Sequence, residues 1–224
     1  MEVSALTAAV RDLPESAWLD GEYLRQQLTL ARQTHSIFLR SLATKAFEEI
    51  LQDRSISPDD IEPGSAPEAI AKLAAPILDE IAQRIGPDSV ILRAQFARMR
   101  PGAEIKPHID SSALLIAAHR LHIPLTSNHG VAFKIHGETV RMQIGQLYEL
   151  NNRVRHAVTN AGTTERIHLI IDILPRAHNH PDVLKRGFEA GRKQSARDQA
   201  APPAPVRTGL TLPTLIATSV VRGA

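Results

Sequence analysis

The sequence predicts a mainly β protein with flanking helices, its strands wound into a double-stranded β-helix of jelly-roll, cupin-like form. Apolar spacing is helical up to Ile85 and changes to a period of two from Ser89. Between Ser89 and Pro175 that two-residue period returns in eight short runs separated by turn residues, which suits two antiparallel sheets closed on one another. Aromatic residues make up 4% of the chain against 43% hydrophobic residues, so the core must rest on Leu, Ile, Val and Ala.

Residues 1–88 read as a helical and mixed region that packs on the barrel. Leu13-Pro14-Glu15-Ser16 interrupts a short amphipathic opening, Trp18 and Tyr23–Leu30 suit a helix or a lead into a strand, and Thr34–Leu39 favours extended structure. Pro58, Pro63, Gly64 and Pro67 mark a loop. Ile70, Leu73, Ala74, Ile77, Leu78, Ile81 and Ile85 then recur at helical spacing, closed by Gly86-Pro87. Residues 89–175 hold the barrel. Its strands are expected at Val90–Met99, Ile105–Ile109, Leu114–Leu125, Val131–Ile135, Thr139–Met142, Gln146–Leu150, His156–Thr159 and Arg166–Leu174. Residues 176–193 suggest a short C-terminal helix, and 194–224, with Ala-Pro-Pro-Ala-Pro at 201–205, a disordered tail.

A formal net charge of +2 gives no electrostatic footprint for nucleic acid. Residues 176–224 carry eight Lys/Arg against three Asp/Glu, so the basic excess belongs to that segment and the barrel is slightly acidic. The absence of cysteine excludes disulfides, thiolate metal sites, iron–sulfur clusters and Cys nucleophiles. Met1-Glu2-Val3 does not open a signal peptide, and the stretch that comes closest to a membrane span, Leu210–Val221, is too short and contains Pro213. The expectation is a cytoplasmic protein with no membrane partner.

The chemistry lies in His108-x-Asp110, His156 and, ten residues beyond, Arg166. In a strand, residues i and i+2 share a face, so alternation makes this pattern specific. His108 and Asp110 point one way, as do Arg120 and His122, while Arg166, His168 and Asp172 oppose Ile167, Leu169 and Ile171. Two imidazoles and a carboxylate occupy one face of an octahedral iron and leave three positions for a chelating 2-oxo acid and O2. The far carboxylate of that co-substrate needs a fixed cation, which a guanidinium fork supplies. A His2Asp set also suits zinc, but Arg166 favours the oxygenase, because a zinc hydrolase has no general need of it. His35, His119, His129 and His136 are expected at the surface or at strand ends, and His178 and His180 in solvent. His168 is a candidate for a place beside the site.

At these residues the chain resembles the aspartyl/asparaginyl β-hydroxylase family of Fe(II)/2-oxoglutarate-dependent oxygenases. The resemblance runs from Met99-Arg100-Pro101-Gly102 through Lys106-Pro107-His108-Ile109-Asp110, Arg120-Leu121-His122-Ile123-Pro124-Leu125, Glu149-Leu150-Asn151-Asn152 and His156-Ala157-Val158-Thr159-Asn160 to Arg166–Asp172. It implies that His108, Asp110 and His156 are the iron ligands and catalytic centre. It implies that Arg166 grips the distal carboxylate of 2-oxoglutarate, that Arg120 and His122 contact its other end, and that Asn151 or Asn152 orders the loop before His156. By keeping Asp110 the chain resembles the bacterial branch of the family, since the animal enzymes lack that carboxylate. Gln95 and Ala118 stand where those enzymes carry basic residues for an acidic side chain, which departs from aspartyl specificity.

The implied activity is a 2-oxoglutarate-dependent dioxygenase that hydroxylates an unactivated C–H of a free, carrier-bound or peptidyl amino acid, with succinate and CO2 as co-products. The alternatives are a hydroxylase of free L-proline or another small amino acid, and a non-enzymatic cupin-like binding protein in which His108 and His156 would lie apart. Arg93, Arg98, Arg100, Arg153 and Arg155 are candidates to meet a substrate carboxylate.

Overall fold

A computed structural model describes residues 1–19, 34–43, 54–110, 113–184 and 186. The chain opens with helix α1 (Ser4–Arg11) and, after Leu13-Pro14, the short α2 (Glu15–Leu19). Strand β1 (His35–Leu42) covers the expected Thr34–Leu39 run, while the Tyr23–Leu30 segment lies outside the described residues. A capping box between Ser57 and Asp60 starts a single 3-10 turn, Pro58–Asp60, which leads into β2 (Ile61–Pro63). Helix α3 (Glu68–Ile85) follows and ends at Gly86, whose φ of 147° suits glycine. It buries Ile70, Ala74, Ile77, Leu78 and Ile81, but Leu73, on the same apolar spacing, stays 40% exposed at the margin of the stripe.

The eight barrel strands are β3 (Val90–Met99), β4 (Glu104–His108), β5 (His119–Thr126), β6 (Val131–Ile135), β7 (Glu138–Val140), β8 (Tyr148–Leu150), β9 (His156–Asn160) and β10 (Arg166–Leu174). Four of them join β1 and β2 in a six-stranded sheet, β2-β1-β3-β10-β5-β8, and the other four form a second sheet, β4-β9-β6-β7. From β3 to β10, successive strands cross from one sheet to the other, except at the β6–β7 hairpin, and this winding is the double-stranded β-helix. The hairpin turns on His136 and Gly137, both with positive φ (50° and 92°), the geometry of a two-residue turn that follows strand twist.

One expected strand is corrected. Leu114–Leu125 does not run as a single strand: Ala113–Ala117 forms helix α4, and β5 begins at His119. The Ala/Leu-rich start favours a helix and lacks polar alternation. Leu114 and Ala117 pack instead with Val90, Leu92, Leu174 and Leu184. After β10 a 3-10 turn spans Arg176–His178 and residues 181–184 are helical. The expected helix beyond 186 and the tail at 194–224 lie outside the described residues.

The main core lies between the helices and the outer face of the six-stranded sheet. Leu6, Val10, Trp18 and the α3 residues pack on Phe96, Leu121, Ile123, Leu125, Ile167, Leu169, Ile171 and Ile173. Arg98 fastens α2 to this face: its guanidinium lies 4.6 Å from the centroid of the Trp18 ring and donates to both Glu15 oxygens, at 2.8 and 2.7 Å. A second cluster, including Met99, Val131, Phe133, Leu150 and Val158, lies inside the barrel. With the apolar face of β10 spent on the helices, its polar face turns towards the four-stranded sheet.

Candidate active site

Sheet register brings the two histidines together. His108 on β4 and His156 on β9 are directly opposed across an antiparallel pair, with ring centroids 4.3 Å apart and planes at 55°. Uninterrupted pairing from Ile105↔Val158 would set Pro107 against His156. The register instead shifts between Ile105 and His108, and the additional residue brings His108 into line. Pro107 is tolerated because β4 is an edge strand.

Each imidazole is oriented by its own backbone. His108 Nδ1 donates to the Lys106 carbonyl at 2.8 Å and His156 Nδ1 to the Val154 carbonyl at 3.0 Å, which leaves both Nε2 lone pairs facing inward. Asp110 lies just past β4, where its backbone N–H donates to the Asn152 carbonyl at 3.0 Å. The Asn152 side chain donates to the Leu115 carbonyl at 2.8 Å, and Asn151 accepts from the Arg153 N–H at 3.1 Å, so both asparagines order the turn before His156.

Asp110 Oδ1 lies 3.5 Å from His108 Nε2, and Oδ2 lies 3.9 Å from His156 Nε2. The donor atoms of all three residues fall within 4.8 Å of one another. Metal–ligand bonds are about 2 Å, so donors at adjacent octahedral corners are about 3 Å apart; a slight inward movement closes this set on an ion. Burial pushes the Asp110 carboxyl up, but His108 and Arg120 outweigh it and hold the pKa below the ordinary value. Burial lowers the pKa of His156, whereas at His108 it is overcome by Asp110 and the Lys106 carbonyl, which raise it.

A chain of charges backs Asp110. Arg120 donates to Asp110, and to Asp172 at 2.8 and 3.2 Å, while Arg93 donates to Asp172 at 2.7 Å. Burial opposes ionisation of Asp172, yet the two guanidiniums hold its pKa at about 2. A carboxyl depressed from an unfolded value of about 3.9 contributes about 2–3 kcal/mol of stability above pH ~4, lost as pH falls towards ~2. Asp172→Asn removes the carboxylate that Arg93 holds and leaves Arg120 with Asp110 alone. We expect urea denaturation at pH 7 to show a loss of about 3 kcal/mol, and the stability difference from wild type to narrow between pH 4 and pH 2.

Deeper in the barrel lie Arg166, His122 and His168, each at most 4% exposed. The Arg166 guanidinium stands 5.2 Å from the centroid of the Phe133 ring, and its Nε has no partner among the described residues. No acidic side chain among the described residues offsets it, and burial alone pushes its pKa down to about 9. His122 and His168 face each other through Nδ1 atoms 3.3 Å apart, and the Nε2 of each has no hydrogen-bond partner among the described residues. A buried cation and two orphaned ring nitrogens are costly without a ligand. A dianionic chelator is the kind of molecule that would satisfy them.

The other candidates separate clearly. Arg98 and Arg100 hold Glu15, Arg155 donates to the Pro107 carbonyl at 3.2 Å, and Arg153 is exposed. Arg93 stays near the site through Asp172. His119 pairs with Glu149 at 2.5 Å and stacks on His178, which donates to the Ala117 carbonyl at 2.8 Å and is therefore anchored as well as exposed. Sequence reasoning assigned no role to the Asp172 anchor or to Phe133. Opposed charges at Arg120 and Asp172 on neighbouring alternating strands were the available signal for the anchor.

Fold and cluster together define a β-barrel protein with a two-histidine, one-carboxylate group that could hold a metal ion. Residues 65–175 match the model of the aspartyl/asparaginyl β-hydroxylase family, and through this segment the chain belongs to that family. It is 28% identical over 127 residues to L-proline cis-4-hydroxylase of Rhizobium meliloti (strain 1021), a match covering 57% of this chain and 44% of the relative. The chain thus spans less than half the length of that curated relative. Among solved structures, a 2OG-Fe(II) oxygenase family oxidoreductase from Burkholderia pseudomallei aligns over 82% of this chain and 94% of its own, at 17% identity and a TM-score of 0.48. A cupin domain from Bordetella pertussis Tohama I aligns over 36% of this chain and 79% of its own, at 22% identity and a TM-score of 0.30.

Proposed function

We propose that this chain is an Fe(II)/2-oxoglutarate-dependent dioxygenase that hydroxylates an unactivated C–H of an amino-acid-type substrate. One observation carries the proposal: the His108–Asp110–His156 cluster shares a barrel with a fully buried Arg166 that no acidic side chain among the described residues neutralises. The histidines lie together, which favours this reading over a cupin-like binding protein. When bound, iron with 2-oxoglutarate and O2 supplies the oxidising power, with succinate and CO2 as co-products.

The residues of the chain supply position and exclusion of water. His108 and His156 present Nε2 because their Nδ1 protons are held by backbone carbonyls. Arg120 bonds Asp110 Oδ2, which leaves Oδ1 beside His108 and fixes the plane of the carboxylate. Arg166 grips the distal carboxylate of the co-substrate, while Arg120 and His122 meet its chelating end. Phe133, Met99 and Val158 keep the deep end apolar. Arg93, 31% exposed at the rim, takes the substrate carboxylate.

Free L-proline is a specific second reading, favoured by the named activity of the Rhizobium relative. Anaerobic visible absorption tests the cofactor assignment: a weak charge-transfer band should require both Fe(II) and 2-oxoglutarate. A folded protein with no band would reject the assignment. Succinate release across free amino acids and short peptides then separates proline from other substrates.

A further inference from the structure

The interior face of the six-stranded sheet carries two adjacent rows of unlike character. Register sets Arg93, Asp172 and Arg120 side by side on β3, β10 and β5, and all three are ion-paired. Two residues further towards Arg166, about 7 Å along the strands, the same pairing aligns Phe38, Gln95, Ile170, His122 and Tyr148. This second row holds no Asp, Glu, Lys or Arg. Its direction follows from its chain neighbours: Ile37, Leu39, Ala94, Phe96, Leu169 and Ile171 are buried in the core against the helices. Phe38, Gln95 and Ile170 therefore face the barrel interior.

Solvent reaches only part of this interior. Ile170 is the one residue of β10 that is not buried. On β3, Arg93 and Gln95 are half-buried, whereas Ala97 and Met99, next on the same face, are closed. His122 is closed as well. The open surface thus runs from Arg93 over Gln95 and Ile170, and a substrate that takes its carboxylate to Arg93 has its remaining atoms there. Beyond that one carboxylate, the surface offers no partner to a charge. Arg120 is spent on Asp110 and Asp172, and Ile170 and Phe38 are apolar. The Gln95 side chain makes no hydrogen bond among the described residues, so its amide keeps a donor and an acceptor free.

We infer that Gln95 is a specificity-determining residue and that the substrate carries an uncharged side chain, which lies on Ile170 while the Gln95 amide bonds a polar atom of the substrate. An acidic or basic side chain in the same place would exchange water for neutral groups, which is costly without a counter-charge. The inference deepens the amino-acid hydroxylase reading above and rests on it for the occupant of the site.

Isosteric pairs of free and capped amino acids isolate the charge: asparagine against aspartate, glutamine against glutamate, methionine against lysine. Calorimetric titration of the Zn(II)-loaded protein, with and without 2-oxoglutarate, should show the uncharged member of each pair bound at least about tenfold tighter. Gln95→Met, which keeps the length and removes the amide, should weaken the best uncharged ligand about tenfold, the worth of one hydrogen bond. Gln95→Lys should reverse the asparagine–aspartate preference. A wild type that prefers the charged members, or binds no uncharged one, overturns the inference, and that measurement needs no variant. An unchanged preference in a folded Gln95→Lys protein overturns the role of Gln95, as does a Gln95→Met protein that loses 2-oxoglutarate and leaves the panel unchanged. Failure of the wild type to bind 2-oxoglutarate rejects the co-substrate reading instead, and the charge preference measured without it still decides the inference.

Discussion

We expect His156→Ala to abolish turnover and to lower metal affinity by more than about a thousandfold, with the fold retained. Changing residues that merely orient a metal ligand costs about 10–100-fold, and on the proposed reading this substitution removes a ligand itself. Two donors from His108 and Asp110 remain, and their separation of 3.5 Å leaves one side of the ion to water. Among the described residues the His156 side chain bonds the Val154 carbonyl alone, so truncation costs the barrel little beyond a small cavity. Metal titration followed by circular dichroism and succinate assay reads the three quantities separately. Retained succinate formation in a folded variant would remove His156, and with it the facial site, from the mechanism. His108→Ala should behave alike, because the register makes the two residues equivalent partners.

How far the sequence carried this site depends on the local pattern. In β10, Arg166, His168 and Asp172 oppose Ile167, Leu169 and Ile171, and the structure shows why such alternation is readable: one face is spent on the helices and the other on the barrel interior. Strands β3, β6 and β10 accordingly begin and end where their period of two does. Short-range order failed where the period was broken. The apolar run at Ala113–Ala117 has no polar alternation to separate helix from strand, and tertiary packing against Leu174 and Leu184 decided it. The register shift in β4 was hidden by Pro107, although it is what makes His108 rather than its neighbour face His156.

The pairing of charges was less legible than their positions. Arg93, Arg98, Arg100, Arg153 and Arg155 are alike as letters. They part company because Glu15 comes from a helix 83 residues before Arg98 and Asp172 from a strand 79 residues after Arg93. Such partners are set by topology, and a single sequence does not show them. Arg166 is the informative opposite case: the structure gives it burial without a counter-charge, which is the mark of a group whose partner is a ligand.

That observation leads to the second large expected effect. Arg166→Leu should make the ligand-free protein more stable while weakening 2-oxoglutarate at least about a hundredfold. Burial pushes the guanidinium down to about 9, which still leaves it charged at neutral pH, so the folded chain bears an uncompensated cation. Replacing buried charges with apolar residues of similar volume often gains about 1–4 kcal/mol, and Phe133 already offers an apolar wall to receive a leucine. The distal carboxylate of the ligand would lose its charge-assisted partner, worth about 2–5 kcal/mol when buried. Thermal denaturation of the Zn(II)-loaded protein checks both signs together. In the wild type, added 2-oxoglutarate should raise the midpoint by mass action; in Arg166→Leu the ligand-free midpoint should start higher and stay unmoved. A variant that begins less stable, and still gains from 2-oxoglutarate, would make Arg166 a structural cation and direct the search for the carboxylate's partner to Arg120 and Arg93.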